Sequence, residues 1–207
     1  MKRYAFFDVQ NTETTTLKVL GFEIDHERLF LYLKEKWQCE KVFFYPGIEY
    51  GDSERENIFN KISTLGGIVR IKYYYKYKNK DKIKEINCPN CYTKIEQKIN
   101  MGYTWKCNCD VEMTMDILDC ARTNTELLIF TGDGDFGSLV EKVIRNGVKT
   151  YLISSYQKTE SKNIIANSRF AKKLKMLIEK YSEMIIYIEI NDWKMRIQKV
   201  PKYGDNF

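Results

Sequence analysis

The chain has 207 residues, among them 15 Tyr and 11 Phe, enough apolar and aromatic material to bury the core of one ordinary domain, which excludes a chain that stays disordered. Its formal charge is +6 and is unevenly placed: Arg70 to Lys106 holds ten Lys or Arg against three acids, a net of +7, so the remainder is close to neutral. One basic segment on a near-neutral body points to a polyanionic partner. The apolar run after Met1-Lys2-Arg3 ends at Asp8, short of a signal-peptide core, and no stretch reaches transmembrane length. The expectation is a cytoplasmic chain without membrane association. Its six cysteines would then stay reduced and, where clustered, read as metal ligands before disulfides.

Residues 3–8, RYAFFD, read as a buried strand that ends on an acid. Residues 24–37 have helical periodicity through Phe30, Leu33 and Trp37, and 41–45 form a second strand closed by Pro46-Gly47. Ser53-Glu54-Arg55-Glu56 fits a capping box. The helix it opens carries Ile58, Ile62 and Leu65 on one face and stops at Gly66-Gly67, before a third strand over 68–73. Residues 74–109 break the pattern, being rich first in Lys and Tyr and then in Cys. A helix over 110–122 presents Met113, Ile117 and Cys120, followed by a strand over 126–131, a helix over 136–146 and a strand over 148–153. A long helix over 162–181 uses Leu174, Leu177, Ile178 and Tyr181, and the alternation over 184–199 around Asn191-Asp192 predicts a β-hairpin. Alternating strands and helices predict an α/β fold, a parallel sheet flanked by helices on both faces. The main domain would comprise 1–73 and 110–182, with an insertion at 74–109 and a C-terminal hairpin and tail at 183–207.

Ligands of open parallel sheets bind at the carboxyl ends of the strands, near the point where strand order reverses. Asp8 ends the first strand, and Asp133 and Asp135 follow the strand that ends at Thr131, in T-G-D-G-D-F. Gly132 and Gly134 would permit a tight turn there with unusual backbone angles. Glu112, Asp116 and Asp119 share one face of the helix that Asp110 precedes; for Glu112 and Asp119 this is a solvated face. Like charges about 4 Å apart repel by roughly 4 kcal/mol at an effective dielectric near 20. The acids would therefore take up protons or bind a cation, and all-oxygen donors suit Mg2+ or Mn2+. Such an ion activates water and neutralises charge on a phosphodiester, chemistry that needs no histidine in a chain whose single one is His26.

F-F-D-V-Q-N at 6–11 resembles the opening motif of NYN domains, and T-G-D-G-D-F at 131–136 is similar to their S-G-D-x-D-F motif. D-V-E-M-T-M-D at 110–116 resembles the segment that precedes it, and the order and separations match the LabA-like branch within the PIN-like nuclease group. The resemblance covers roughly residues 3–73 and 110–180. It implies a PIN-like sheet and a metal-dependent endoribonuclease, with Asp8, Asp116, Asp133 and Asp135 as the acids that bind Mg2+ or Mn2+, Asp110 as a further candidate member, and Asn11 orienting substrate or water. Cys109, before Asp110, and Ala166-Asn167 depart from the family pattern.

Cys88-Pro89-Asn90-Cys91 and Cys107-Asn108-Cys109 form two close pairs, the donor set of a closed structural Zn2+ ribbon rather than a catalytic metal. Cys39 and Cys120 fall in apolar patterns and read as core thiols. K-Y-Y-Y-K-Y-K-N-K at 72–80 interleaves cations with rings, as single-stranded RNA binders do. Lys72, Tyr74, Lys76, Lys78 and Trp105 are its candidate contacts, with Tyr92 and Tyr103 as further aromatics. The alternatives are a non-catalytic RNA-binding or adaptor protein on the same fold, and a phosphatase of small phosphoesters.

Overall fold

In chain order, β1 (Lys2–Asp8) leads directly into α1 (Val9–Lys18), followed by α2 (His26–Glu35) and β2 (Cys39–Tyr45). A two-residue β3 (Gly47–Ile48) precedes α3 (Ser53–Thr64), β4 (Ile68–Val69) and β5 (Lys72–Tyr73). The insertion supplies β6 (Tyr75–Lys78), β7 (Lys82–Asn87), β8 (Lys94–Ile99) and β9 (Tyr103–Lys106). The chain returns through α4 (Asp110–Cys120), β10 (Thr125–Phe130), a 3-10 turn at Gly134–Phe136, α5 (Gly137–Arg145) and β11 (Lys149–Ser154). It continues with α6 (Lys172–Lys180), β12 (Ile185–Glu189), a 3-10 turn at Ile190–Trp193 and α7 (Lys194–Ile197). This computed structural model describes residues 1–91, 93–158 and 169–200, without the side chains of Tyr75, Trp105 and Lys106. Tyr92, Ala166-Asn167 and the first part of the helix expected over 162–181 lie outside the described residues.

Six strands form one sheet in the order β12-β11-β10-β1-β2-β4, and every pairing is parallel. The α/β expectation is met: the strand interiors are apolar because both faces are covered. Alternate residues divide between two cores. Ala5, Phe7, Phe44, Leu128 and Phe130 pack with Leu29, Phe30 and Leu33 of α2 and Phe59 and Ile62 of α3. Tyr4, Phe6, Phe43, Leu127 and Ile129 pack with α4, α5 and α6 on the other face. Each fully buried Phe contributes about 1.5–3 kcal/mol relative to exposure. No helix among the described residues is long and apolar enough to cross a membrane.

From β1 the chain steps outward through β2 to β4, whereas β10, β11 and β12 run out on the other side. The order reverses between β1 and β10, and the crevice beyond their carboxyl ends is the expected ligand position.

Several local expectations change. The hairpin expected over 184–199 does not form: β12 joins the main sheet in parallel beside β11. Asn191 and Asp192 lie in the 3-10 turn. Ile190, Trp193 and Ile197 have helical rather than strand spacing and are buried in the first core. The third strand divides, with β4 in the sheet and β5 beside β3. Asp52, not Ser53, caps α3, accepting from the Arg55 amide at 3.0 Å.

The insertion is a two-part arm. β6 pairs antiparallel with β9, from Tyr75↔Lys106 to Lys78↔Tyr103. β7 pairs with β8, from Lys82↔Ile99 to Asn87↔Lys94. Every residue of β7 and β8 is exposed.

Candidate active site

Asp8 ends β1 and caps α1. Its carboxylate accepts from the Asn11 amide at 3.2 Å and from the Thr131 hydroxyl at 3.0 Å. The Asn11 side chain accepts in turn from the Gly132 amide at 2.8 Å. Thr131 Oγ1 accepts from the Asp133 amide at 3.2 Å, and the Asp133 carboxylate accepts from the Asp135 amide at 2.9 Å. This network couples the end of β1 to the loop after β10, so the two strands present their acids as one unit.

Gly132 and Gly134 serve a different purpose from the one expected. Neither has a positive φ. A Cβ on Gly132 would stand 3.0 Å from both the Arg169 carbonyl and the Ser154 hydroxyl, and one on Gly134 would stand 3.0 Å from the Ala171 Cβ. Close approach of the chain, not a left-handed turn, requires glycine here.

A pocket of about 400 Å³ opens at this crevice, lined by Asp8, Asn11, Asp110 and Asp133 together with Tyr45, Met113 and Arg169. Burial pushes the Asp8 carboxyl up to about 6; the Asn11 and Thr131 hydrogen bonds oppose the shift, and the charges of Asp110 and Asp133 add to it. Asp110 is also raised, first by burial and then by Asp133 and Asp135, against the hydrogen bond from Asn108. Asn108 brackets Asp110, donating to its carboxylate and accepting from its amide, both at 2.7 Å. Among the described residues, no salt bridge involves Asp8, Asp110, Asp133 or Asp135.

Asp116, expected among the metal-binding acids, stands apart from that wall. Arg70 holds it with two hydrogen bonds of 3.1 Å, and the Tyr45 hydroxyl donates to it at 2.9 Å. Asp110, one helical face away on α4, reaches the pocket instead. Glu112 pairs with Lys72 at 2.8 Å.

The oxygen donors suit a hard divalent cation in kind. As the side chains stand, no three His, Cys, Asp or Glu among the described residues gather closely enough to hold an ion. This applies equally to the cysteines. Cys88 and Cys91 flank the turn between β7 and β8, whereas Cys107 and Cys109 follow β9 and line the acidic pocket. The donor set expected for zinc is present as two separate pairs.

The expected nucleic-acid contacts are distributed along the arm and its base. Lys72 is committed to Glu112 and to the Asn108 carbonyl, each at 2.8 Å. Tyr74 is half-buried against Gly47. Lys76 lies over the Tyr103 ring at 4.3 Å, and Lys78 is exposed opposite Tyr103. The Trp105 side chain lies outside the described part.

Arg169 and Tyr45 escaped the sequence reading, because each reaches the pocket through tertiary placement alone; Thr131, the first residue of the T-G-D-G-D-F motif, is buried and acts through its hydrogen bond to Asp8. Glu13 escaped it too; it sits between the buried His26, 2.7 Å away, and Arg55, 2.6 Å away. Arg55 also donates to the Gly47 carbonyl, stiffening the outer wall of the pocket.

The NYN domain matches residues 4–177. A comparison with curated proteins gives no match. Among solved structures, a protein of unknown function from Vibrio parahaemolyticus is similar over 92% of this chain and 94% of its own, at 17% identity and a TM-score of 0.57. Phosphofructokinase-2 from Escherichia coli in complex with potassium is similar over 62% of this chain and 40% of its own, at 13% identity and a TM-score of 0.34. The first likeness is one of fold, and the second is too distant to bear on function. NYN domains have a PIN-like nuclease fold, act on RNA and in general use divalent metals such as Mg2+ or Mn2+. Because the match runs through both strands that frame the pocket and through most of α6, the chain belongs to the NYN-domain family.

Proposed function

We propose that this chain is a metal-dependent endoribonuclease of the LabA-like branch, hydrolysing single-stranded RNA in the pocket between β1 and β10. The observation that carries the reading is the Asp8 carboxyl. It is buried beside other acids, satisfied only by the Asn11 amide and the Thr131 hydroxyl, and without a cationic side chain bound to it among the described residues. A buried carboxylate in that position gains most from a cation.

Asp8, Asp110 and Asp133 would hold Mg2+ or Mn2+, with Asp135 at the rim; binding would draw the carboxylates closer together. When bound, the ion supplies an activated water and neutralises developing charge on the phosphate. Thr131 orients Asp8, and Asn11 keeps α1 and the Gly132 loop in register. Arg169 lines the same pocket and offers a positive charge to a phosphate. Asp116 acts from outside the wall, fixing Tyr45 and Arg70 at its edge. Lys76 and Lys78 on the arm would take the RNA backbone, with Tyr74 and Trp105 as stacking surfaces. The four cysteines of the insertion are structural zinc donors in this reading and take no part in hydrolysis. A cytoplasmic location accords with reduced thiols.

The test is cleavage of single-stranded RNA by the full chain with and without Mn2+, beside Asp133→Asn. Metal-dependent cleavage that the substitution abolishes is expected; equal cleavage by both proteins would overturn the reading. A non-catalytic RNA-binding protein is the second reading, favoured by the basic, exposed arm. Tight RNA binding without any metal-dependent cleavage would select it.

A further inference from the structure

Helix α1 separates two cavities. Gln10, Asn11 and Thr14 face the acidic pocket, whereas Glu13, Thr16 and Leu17 line a second cavity of about 640 Å³ on the other side of the helix. The first turns of α2 and α3 complete it. Leu17, Ile24 and Ile58 are its apolar walls, and Leu17 and Ile58 are exposed. A cavity of this size suits a small organic molecule.

Its polar groups say which kind. His26 lines the cavity and is only 6% exposed. The Phe59 ring packs against it at 5.1 Å, and Nε2 meets the Glu13 carboxylate at 2.7 Å. Burial pushes the Glu13 carboxyl up, but the hydrogen bonds and charges of His26 and Arg55 outweigh it and hold it below the ordinary range, as the anion. A carboxylate only accepts, so Nε2 carries the proton of the neutral ring and Nδ1 is left as a bare acceptor. Nδ1 is buried and has no hydrogen-bond partner among the described residues. A buried acceptor without a donor costs free energy that a ligand's donor would recover.

The charges agree. Glu13, Glu23, Asp25, Glu27 and Glu54 line the cavity against Arg55, Lys61 and Lys199, so acids outnumber bases. Asp25 accepts from the Arg28 amide at the start of α2 and offsets the positive end of that helix. The rim can yield to an incoming body, because its Lys61–Glu27 and Lys199–Glu23 pairs are largely exposed to solvent and such pairs hold weakly.

We propose that this cavity binds a small organic cation, an ammonium or amidinium on an apolar body, whose N–H donates to His26 Nδ1 while Leu17, Ile24 and Ile58 cover the body. The same side chains lead to the acidic pocket. Arg55 pairs with Glu13 at 2.6 Å and donates to the carbonyl of Gly47, which lines that pocket, at 3.3 Å. The bound cation would therefore sit against α1 and Arg55, which also shape the acidic pocket. The site does not depend on turnover at the acids.

The experiment titrates the full chain with benzamidine, a flat amidinium. Benzamide and benzoate run beside it; they keep the ring but are neutral and anionic. Calorimetry reads affinity, and amide NMR shifts read the place. Expected are a saturable benzamidine site, at least about tenfold tighter than for benzamide, no binding of benzoate, and shifts centred on 13–17, 23–27 and 54–61. His26→Phe keeps a ring without the acceptor and should weaken benzamidine by at least about tenfold. Leu17→Lys, at an exposed position, sets a positive charge on the wall and should abolish binding. Equal binding of benzamidine and benzoate, full affinity in Leu17→Lys, or no benzamidine binding at millimolar concentration would overturn the proposal. So would shifts centred on 8–11 and 131–135, which would put the cation at the acids instead. Should thermal unfolding show that His26→Phe does not fold, Leu17→Lys and the three probes decide. Loss of RNA cleavage by Asp133→Asn bears only on the acids and leaves this result unaffected.

Discussion

The sheet and the arm are built by opposite rules. In β10 every residue is buried, and the strand is held from both faces by two separate cores. In β7 and β8 every residue is exposed, and the pairing rests on backbone hydrogen bonds and a few cross-strand contacts. Burial fixes geometry, so the acids at the ends of β1 and β10 are pre-positioned. Absence of burial leaves the arm's geometry to its own ladders. The pocket lies where the two regimes meet, with Asp8 and Asp133 from the sheet and Cys107 and Cys109 from the base of the arm on one wall.

The largest contrast should appear in stability. Phe130→Ala empties a fully buried site between β1 and Trp193 and should cost about 3–5 kcal/mol in denaturant unfolding. Ile86→Ala on the arm should stay within about 0.5 kcal/mol in the zinc-free protein. Comparable losses would mean that the arm is packed in solution without metal.

Next in size is the chemistry. Asp133→Asn should lower metal-dependent RNA cleavage by about 10²–10³-fold, the scale of losing one preorganised charge-stabilising group, with unfolding little changed. Substituting Asp116 should cost less, since Arg70 and Tyr45 already engage it; a larger loss there would return it to the metal set.

Asp8 offers a test through pH. Its folded-state carboxyl is pushed up to about 6 from 3.8, so the folded protein binds this proton more tightly than the unfolded one. The stabilisation is full below about pH 4 and is lost as pH rises through about 6, a span worth about 2–3 kcal/mol. Asp8→Asn should flatten that slope and leave the protein more stable at pH 7 in metal-free buffer. Saturating Mn2+ should stabilise the wild type and not the variant. A variant with the wild-type slope would show that Asp8 is not the group under strain.

Gly132→Ala should be smaller, about 1–3 kcal/mol, because a Cβ there crowds the Arg169 carbonyl and the Ser154 hydroxyl. A neutral outcome in thermal unfolding would show that this loop can move aside.

The elements that apolar periodicity announced are the ones in place: β1, β2, β10, β11, α2, α4 and α5. Helix α1 was illegible because V-Q-N-T-E-T-T-T-L-K has no apolar stripe and carries four threonines, poor helix formers. Side-chain hydrogen bonds rescue it: locally, Asp8 caps it and Thr14 and Thr15 bond back into the helix, and one tertiary bond, from Thr12 to the Phe130 carbonyl at 3.2 Å, ties it to β10. The C-terminal alternation misled for the converse reason. A short parallel edge strand followed by one helical turn has the same local hydrophobic pattern as half a hairpin, and only its partner β11 decides between them.

At the site, sequence by itself determined that Asp8, Asp133 and Asp135 fall just beyond strands, because strand ends and the turn residues after them are local properties. It could not determine which acid of α4 joins them. Asp110 and Asp116 are both carboxylates on the same helix, and their roles depend on how that helix sits over β1 and on where Arg70 reaches. The reversal of strand order between β1 and β10 decided that two acids 125 positions apart share one pocket. Pairing between distant strands is a property of the whole sheet, written in no single segment.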